Sequence, residues 1–494
     1  MRIRFAAAVP CDAEVTVLDA KGAEVCHLAA GLLGAEEAAA PLAPGKLAQS
    51  LLWDRKDDWG RPVAGGNFSV RVRLGMKAAG ARPVLKAKVH ETSKAQSGGA
   101  ILDPDPAEVG HPGLTPETMA TGRGKTLASR WGYGWHLMAD KEDDRLYAAH
   151  TGKMHEWYRY TGATGEAEPF DTKKFLKPGE HFRIGPGGEI HITPYRKLTR
   201  DLKEVPPLEV ARRRKGCHRF YVGNWPRWRA GPFVEHWNTA NRAPELGLDG
   251  RCYIYIAVSI PYGQFFIFDR WEKERALREG FQPWLTYSNK SDGGHFGCLR
   301  VDTRGKIYIA AGRAPMGHEL PGGNYGHAWL RKGGFSYGRY GSIVKFDPRD
   351  RWAKDFPLPM GAKPEDPEEL KKGVLWSSRI FMPKVERCYP GVMSWLWDGC
   401  VCAGSTFQLD EHGRLYFPDA GRESVVVMDN AGNEILRLAK TVTAGPEGNG
   451  AKLNMGWPHR VECTRKAIYF TDGLNRRVIR VPLGWAAEEK CPVP

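Results

Sequence analysis

His459-Arg460-Val461-Glu462-Cys463-Thr464-Arg465-Lys466-Ala467-Ile468-Tyr469-Phe470-Thr471-Asp472-Gly473, followed directly by Leu474-Asn475-Arg476-Arg477-Val478-Ile479-Arg480-Val481, carries the clearest architectural signal in the chain. Apolar residues alternate up to a polar turn at Thr464–Lys466 and resume around the pair Ile468-Tyr469, the pattern of strand, tight turn, strand. A third alternating run over 477–481 adds another strand. Five further segments lie over this one: HLMADKEDDRLYAAH from His136, HFRIGPGGEIHIT from His181, ELGLDGRCYIYIAV from Glu245, CLRVDTRGKIYIAAG from Cys298 and TFQLDEHGRLYFPDA from Thr406. Weaker copies of the third strand follow two of them, at 341–347 (GSIVKFD) and 419–429 (DAGRESVVVMD).

A strand-turn-strand unit repeated along a chain is the inner half of a propeller blade. The last repeat, D-G-L-N-R-R-V-I-R-V, resembles the D-x-x-N-x-R-V-x-x-V strand of NHL repeats, and the likeness runs over about 131–485 with long insertions at 194–243 and 312–400. The units also resemble, more loosely, gluconolactonase-like and peptide-amidating-lyase propellers. The expected fold is all-β, a propeller of six blades, with seven as the alternative because either insertion has room to hide one.

Ahead of the repeats, residues 3–74 form short alternating segments between turns. Trp53-Asp54-Arg55-Lys56-Asp57-Asp58-Trp59-Gly60-Arg61-Pro62-Val63, then Asn67-Phe68-Ser69-Val70-Arg71-Val72, resembles the FlgD-type immunoglobulin-like module. That likeness implies a β-sandwich spacer over 1–77, usually extracellular, without catalytic residues. Residues 78–130, rich in Gly, Pro, Ala and Ser, read as a linker or wrapping segment, leaving 131–494 to the propeller.

Composition agrees with an all-β chain. Fifty-eight glycines, 35 prolines and 17 tryptophans in 494 residues would break long helices repeatedly. The formal charge of +15 favours an anionic partner; no nucleic-acid motif accompanies it, and the basic run Arg212–Lys215 reads as a solvated loop. Ten cysteines fit neither a small disulfide scaffold nor a zinc-finger array, and Cys400 and Cys402 lack CxxC spacing, so free thiols are expected. The first residues do not form a signal peptide, and no apolar run is long enough to span a bilayer. The domain types nevertheless point to an extracellular or periplasmic protein. Oligomeric state is not legible.

Residues at one repeat position converge near a propeller's axis. Aligning the six units on their turns sets His136, His181, Glu245, Cys298, Thr406 and His459 at the start of the inner strand, a concentration of histidine notable in a chain with 15. The expectation is a divalent metal, Zn, Mn or Ca, held by His136, His181 and His459, with Glu245 as fourth ligand or general base and Cys298 nearby. The alternative is that each histidine only hydrogen-bonds a neighbouring blade. The insertions add Arg219, Tyr221, Trp225, Arg227, Trp228, Arg229, His236 and Trp237, a mixture of flat rings and guanidinium groups suited to an acidic polysaccharide, or equally to packing between blades. His295, just ahead of the fourth unit, and Arg313, His318, Asn324, Tyr325 and His327 of the second insertion follow, of which His295, Arg313 and Tyr325, with Glu245, are the candidate acid-base groups. P-loop, GxGxxG, GxSxG, HExxH and EF-hand signatures are absent. Two functions follow: a metal-assisted lyase or hydrolase acting on an acidic glycan, or a non-catalytic binding or scaffold propeller.

Overall fold

The computed structural model describes residues 1–86, 135–150, 157–177, 182–185, 187–192, 196–205, 245–246, 248, 252–256, 264–268, 276–281, 296–311, 314–318, 341–347, 365–377, 380–383, 385–392, 406–419, 422, 424–439, 455, 458–472 and 477–493. They are overwhelmingly strand. Strands β1 (Arg2–Ala6), β2 (Asp12–Leu18), β3 (Glu24–Leu32), β4 (Ala48–Leu52) and β5 (Phe68–Ala78) build an N-terminal unit, and β6 (Arg82–Lys86) follows it.

Next come sheets made of consecutive strands: β7 (Trp135–Asp140), β8 (Arg145–His150), β9 (Trp157–Thr161) and β10 (Glu166–Phe170); then β11 (Phe182–Ile184), β12 (Ile190–Ile192), β13 (Arg196–Leu198) and β14 (Glu204–Val205). A third holds β15 (Glu245–Leu246), β16 (Cys252–Ile256), β17 (Gln264–Phe268) and β18 (Ala276–Phe281). In the fourth, β19 (Phe296–Val301), β20 (Ile307–Ala311) and β21 (Gly341–Phe346) are joined by β24 (Arg387–Val392), with the hairpin β22 (Gly373–Ser377) and β23 (Ile380–Pro383) inserted between. The fifth is β25 (Gln408–Leu409), β26 (Leu415–Asp419), β27 (Ser424–Met428) and β28 (Glu434–Ala439). The last combines β29 (Pro458–Cys463), β30 (Ala467–Asp472) and β31 (Arg477–Val493) with β6, which pairs antiparallel to Arg477–Arg480.

The arrangement is propeller-like. The first strands lie side by side, β7 next to β11, β15 next to β19, β19 next to β25, β25 next to β29, and β29 again next to β7. All six segments read as strand-turn-strand are antiparallel hairpins, and the runs at 341–347 and 419–429 supply the third strands β21 and β27.

The repeat's turn chemistry has a direct cause. Asp302 Oδ1 accepts the backbone N–H groups of Arg304 and Lys306, both at 2.9 Å, and Asp410 Oδ1 does the same for His412 and Arg414. An aspartate that captures amides two and four residues on closes the hairpin without help from distant chain. The second-strand tyrosine then reaches back: Tyr416 OH donates to Asp410 Oδ2 at 2.9 Å. In the last repeat Thr464 replaces the aspartate, and Tyr469 OH finds its carboxylate on Asp144 of the first sheet at 2.9 Å. Thr464 Oγ1 and Arg480 Nη2 meet the same side chain at 2.9 and 2.6 Å. Last and first sheets are thus fastened through one buried carboxylate.

The N-terminal unit has its own core of Ile3, Val15, Val17, Leu51, Trp53, Phe68 and Val70. Trp53 is 1% exposed, edge-on to Phe68 at 5.1 Å, and donates through Nε1 to the Lys56 carbonyl. β1 pairs with β4, while β3, β2 and β5 form a second sheet whose outer member is the far half of β31: Leu483–Val493 pairs with Phe68–Ala78. Strand pairing therefore crosses the boundaries read from sequence. The 1–77 unit is completed by residues near the C-terminus, and β6, inside the 78–130 linker, serves the last sheet. Among the described residues no helix is long and apolar enough to cross a membrane, and Cys11, Cys26, Cys388, Cys463 and Cys491 form no disulfide.

Candidate functional site

A cavity opens where the first strands approach one another. It is lined by Met138, Ala139 and Lys141 from the first hairpin, Arg183, Ile184 and Gly185 from the second, Leu248, Arg300 and Val301, then Gln408, Leu409 and Glu462. Its volume available to water centres is about 40 Å³, room for roughly three waters.

Backbone register explains this convergence. Met138 pairs with Tyr147, Arg183 with His191, Arg300 with Tyr308, Gln408 with Tyr416 and Glu462 with Tyr469. The lining residue is the one opposite the second-strand ring, and Glu245, opposite Tyr253, holds the same backbone position. Arg300 Nε donates to Gln408 Oε1 at 2.9 Å, Gln408 Nε2 donates to Glu462 Oε2 at 2.6 Å, and Arg300 Nη2 lies 3.6 Å from Glu462 Oε1. Lys141 Nζ donates to the Leu409 carbonyl. Lys141, Arg300, Gln408 and Glu462 are buried and Arg183 is half-buried. Among the described residues the lining presents Lys141, Arg183, Arg300 and Glu462 within walls of Met, Ala, Ile, Leu and Val.

The register also revises the alignment that grouped the histidines. The last turn closes between Thr464 and Ala467 where the fourth closes between Asp302 and Lys306, so it is one residue shorter. A parallel bridge accordingly joins Thr406 to Arg460, not to His459. Cys298 falls within the irregularity between Gly297 and Leu299, and Glu245 belongs with Arg300, two places nearer the turn than His136. Since a one-residue slip exchanges strand faces, the six residues do not share one position.

His136, Glu245, Cys298 and His459 lie on described strands with side chains outside the described residues; His181, Arg219, Tyr221, Trp225, Arg227, Trp228, Arg229, His236, Trp237, His295, Arg313, Asn324, Tyr325 and His327 lie outside them altogether. His318 sits in an exposed turn. Among the described residues no group of three or more His, Cys, Asp or Glu side chains is arranged to hold a metal.

Sequence reading missed a second polar cluster, where the N-terminal unit sits on the turn ends of the sheets. Glu14 of β2 accepts from Arg414 Nη2 at 2.6 Å and from Arg73 Nη1 at 3.3 Å. Arg414 Nε donates to Asp410 Oδ2 at 2.6 Å. Glu24 accepts from Arg71 at 2.6 Å and pairs with Arg465 at 2.9 Å. His27 donates to Asp58 at 2.6 Å and Glu24 at 3.0 Å, and its ring stands edge-on to His412 with centroids 4.8 Å apart. His412 Nε2 is 3.3 Å from Thr16 Oγ1. Trp485, where β31 passes from the ring to the N-terminal unit, lies beneath Arg73 and Arg414, each 5.6 Å from its ring centre.

Burial disfavours charge on His27, but its bonds to Asp58 and Glu24 outweigh that and push its pKa up to about 10. His412 is held down to about 4 by burial and by the neighbouring charges of His27 and Arg414, against the pull of Glu14. Burial also opposes ionisation of Glu14, yet His412, Arg414 and Arg73 overcome it and hold the carboxyl near 2. Trp59, half exposed, joins this seat to the cavity: its Nε1 donates to the carbonyl of Leu248 at 2.9 Å.

No family model matches the chain, and no curated protein matches it in sequence. Similar solved structures include regucalcin, a calcium-binding protein from Agrobacterium tumefaciens, at 8% identity over 72% of this chain and 90% of that one, with a TM-score of 0.32. Virginiamycin B lyase from Staphylococcus aureus is 9% identical over 70% and 80%, with a TM-score of 0.29. An auxiliary nutrient binding protein from Bacteroides ovatus is 10% identical over 96% and 91%, with a TM-score of 0.35. Superpositions this loose carry no inference about chemistry.

Proposed function

We propose that the chain is a six-bladed propeller with an immunoglobulin-like N-terminal unit, and that it binds an anionic ligand of the acidic-glycan class in its channel, outside the cytoplasm. The observation that carries this reading is the lining itself: Lys141, Arg183 and Arg300 against the carboxylate of Glu462, in a narrow, partly apolar space. Low-dielectric walls strengthen the attraction of such groups for an anion. Arginine adds bidentate geometry for carboxylate or sulfate. The overall charge of +15 acts in the same direction at longer range. Arg219, Trp225, Arg227, Trp228 and Arg229 are proposed to extend the ligand contact beyond the channel.

Binding without catalysis is the reading favoured, because the cations of the described lining support recognition. Purified protein tested against uronate and sulfated polysaccharides is expected to retain the acidic polymers, release them as salt rises, and form no unsaturated product by ultraviolet absorbance. Turnover together with stoichiometric Zn, Mn or Ca would overturn that reading. It would favour a metal-assisted lyase or hydrolase with His136, His181, His459, Glu245 and Cys298 around the ion, where the metal would stabilise developing negative charge, and with His295, Arg313 and Tyr325 as acid-base groups.

A further inference from the structure

We propose that Lys345 and Asn430 form a self-modification site, at which the lysine amine attacks the asparagine side-chain amide and joins the fourth and fifth sheets by an isopeptide bond. A nucleophile, an electrophile and two hydroxyl donors gather there around one oxygen, away from the channel cavity.

Strand register assembles the site. Lys345 of β21 pairs with Tyr308 of β20, and Tyr389 of β24 pairs with Ile343, two residues before the lysine. Lys345, Tyr308 and Tyr389 therefore share one face of the fourth sheet, and the two rings stack with centroids 6.4 Å apart. Asn430 reaches that face from the turn between β27 and β28. Its backbone is held by Asp429, whose Oδ1 accepts the N–H groups of Ala431 and Asn433, both at 2.9 Å.

Asn430 Oδ1 accepts from Lys345 Nζ at 2.8 Å, Tyr389 OH at 3.1 Å and Tyr308 OH at 3.2 Å. The amide carbon is one C=O bond beyond that oxygen, so the amine stands within about 4 Å of it, close to the separation from which attack proceeds. Two phenols aimed at the carbonyl oxygen stabilise the charge that gathers there as the tetrahedral carbon forms. Burial raises the pKa of both, so they keep their protons.

An ordinary lysine is protonated and inert. Burial lowers the pKa of Lys345, against the pull of Asp302 and Glu386 and with the help of Lys306 and Arg304, which favours the neutral, nucleophilic amine. Glu386 is placed to take the proton: Lys306 holds one of its carboxylate oxygens, and the other stands 3.9 Å from Lys345 Nζ. The Nζ–Cγ bond forms, the Cγ–Nδ2 bond breaks, and the proton given up by Nζ leaves on Nδ2 as ammonia, so no further reactant is needed. Nδ2 faces Gly413, where a Cβ would come within 3.1 Å of it. The competing attack on Asn430 by the next backbone nitrogen is disfavoured, because the Ala431 N–H is committed to Asp429.

Intact-mass spectrometry of the purified full chain, fresh and after prolonged incubation at neutral pH, followed by protease digestion, tests this. Loss of one ammonia is expected, together with a branched peptide joining Lys345 to Asn430 and no tryptic cleavage after Lys345. Lys345→Arg, which keeps a cation but has no amine to acylate, should yield no branched peptide, and Tyr389→Phe should slow bond formation at least about tenfold. A wild-type chain of unreduced mass overturns the proposal. So does ammonia loss without the branched peptide, the mark of a succinimide.

Discussion

The seat of the N-terminal unit and the channel cavity are built from the same residue types and differ in balance. In the seat every cation meets matching carboxylates: Arg414 has Glu14 and Asp410, Arg71 has Glu24, and His27 has Asp58 and Glu24. In the cavity the described lining sets Lys141, Arg183, Arg300 and Glu462 among apolar side chains. A balanced buried network fixes one arrangement and resists change, because removing a partner leaves a charge unpaired in low dielectric. A cavity lined by cations and open to solution suits the anionic ligand proposed for it. Burial alone would have ranked the two regions equally.

The largest expected effect breaks the balanced side. Arg414→Met strips partners from Glu14 and Asp410, both buried, and should cost about 3–5 kcal/mol in urea unfolding. Arg183→Ala in the cavity should cost no more than about 1 kcal/mol. Equal costs would erase the distinction.

The two stacked histidines give the next effect, and its sign differs on each side of neutrality. His412 has a folded pKa of about 4, below its ordinary 6.5, so as pH falls from 6.5 towards 4 the unfolded chain takes up a proton that the folded one refuses. Stability should drop by roughly 3 kcal/mol over that window. Glu14, lowered from 4.5 to about 2, extends the loss at still lower pH. His27, raised to about 10, contributes fully below 6.5 and is lost as pH rises towards 10. Asp12, raised by burial from 3.8 to about 6, acts in the opposite direction to His412 between pH 4 and 6, so the two histidines are read by difference: His412→Asn should raise the unfolding midpoint at pH 4 relative to pH 6.5, and His27→Asn should flatten the fall between pH 6.5 and 10. Limbs unchanged by either substitution would sink this account. The smallest effect belongs to the link between the regions: Trp59→Phe deletes one hydrogen bond to Leu248 and should lower stability by about 1 kcal/mol, read from the same urea midpoints.

Much of the architecture was legible because it is local. The aspartate of Asp302-Thr303-Arg304-Gly305 and the Ile-Tyr pair after it act within a few residues, so the six hairpins stand out from the sequence. The cavity was not legible, since Met138, Arg183, Arg300, Gln408 and Glu462 share a backbone position and no chemistry. The usable signal was the ring opposite each, Tyr147, His191, Tyr308, Tyr416 and Tyr469. Histidines drew attention instead, and a turn shortened by one residue at Thr464 was enough to misplace His459. The seat was illegible for another reason: Glu14 and Arg414 are 400 positions apart, and nothing local to either announces the other.

β31 runs unbroken for 17 residues, its first half in the last sheet of the ring and its second half in the N-terminal unit. A ribosome makes residues 1–78 well before 483–493, and until those are synthesised the sheet of the first lacks a strand. Residues 1–78 therefore wait, incompletely hydrogen-bonded at the β5 edge, while everything between is translated. Maturation of this molecule is a late, whole-chain event, and such distant pairing slows folding; a nascent chain stalled before residue 483 would leave that edge open to other strands.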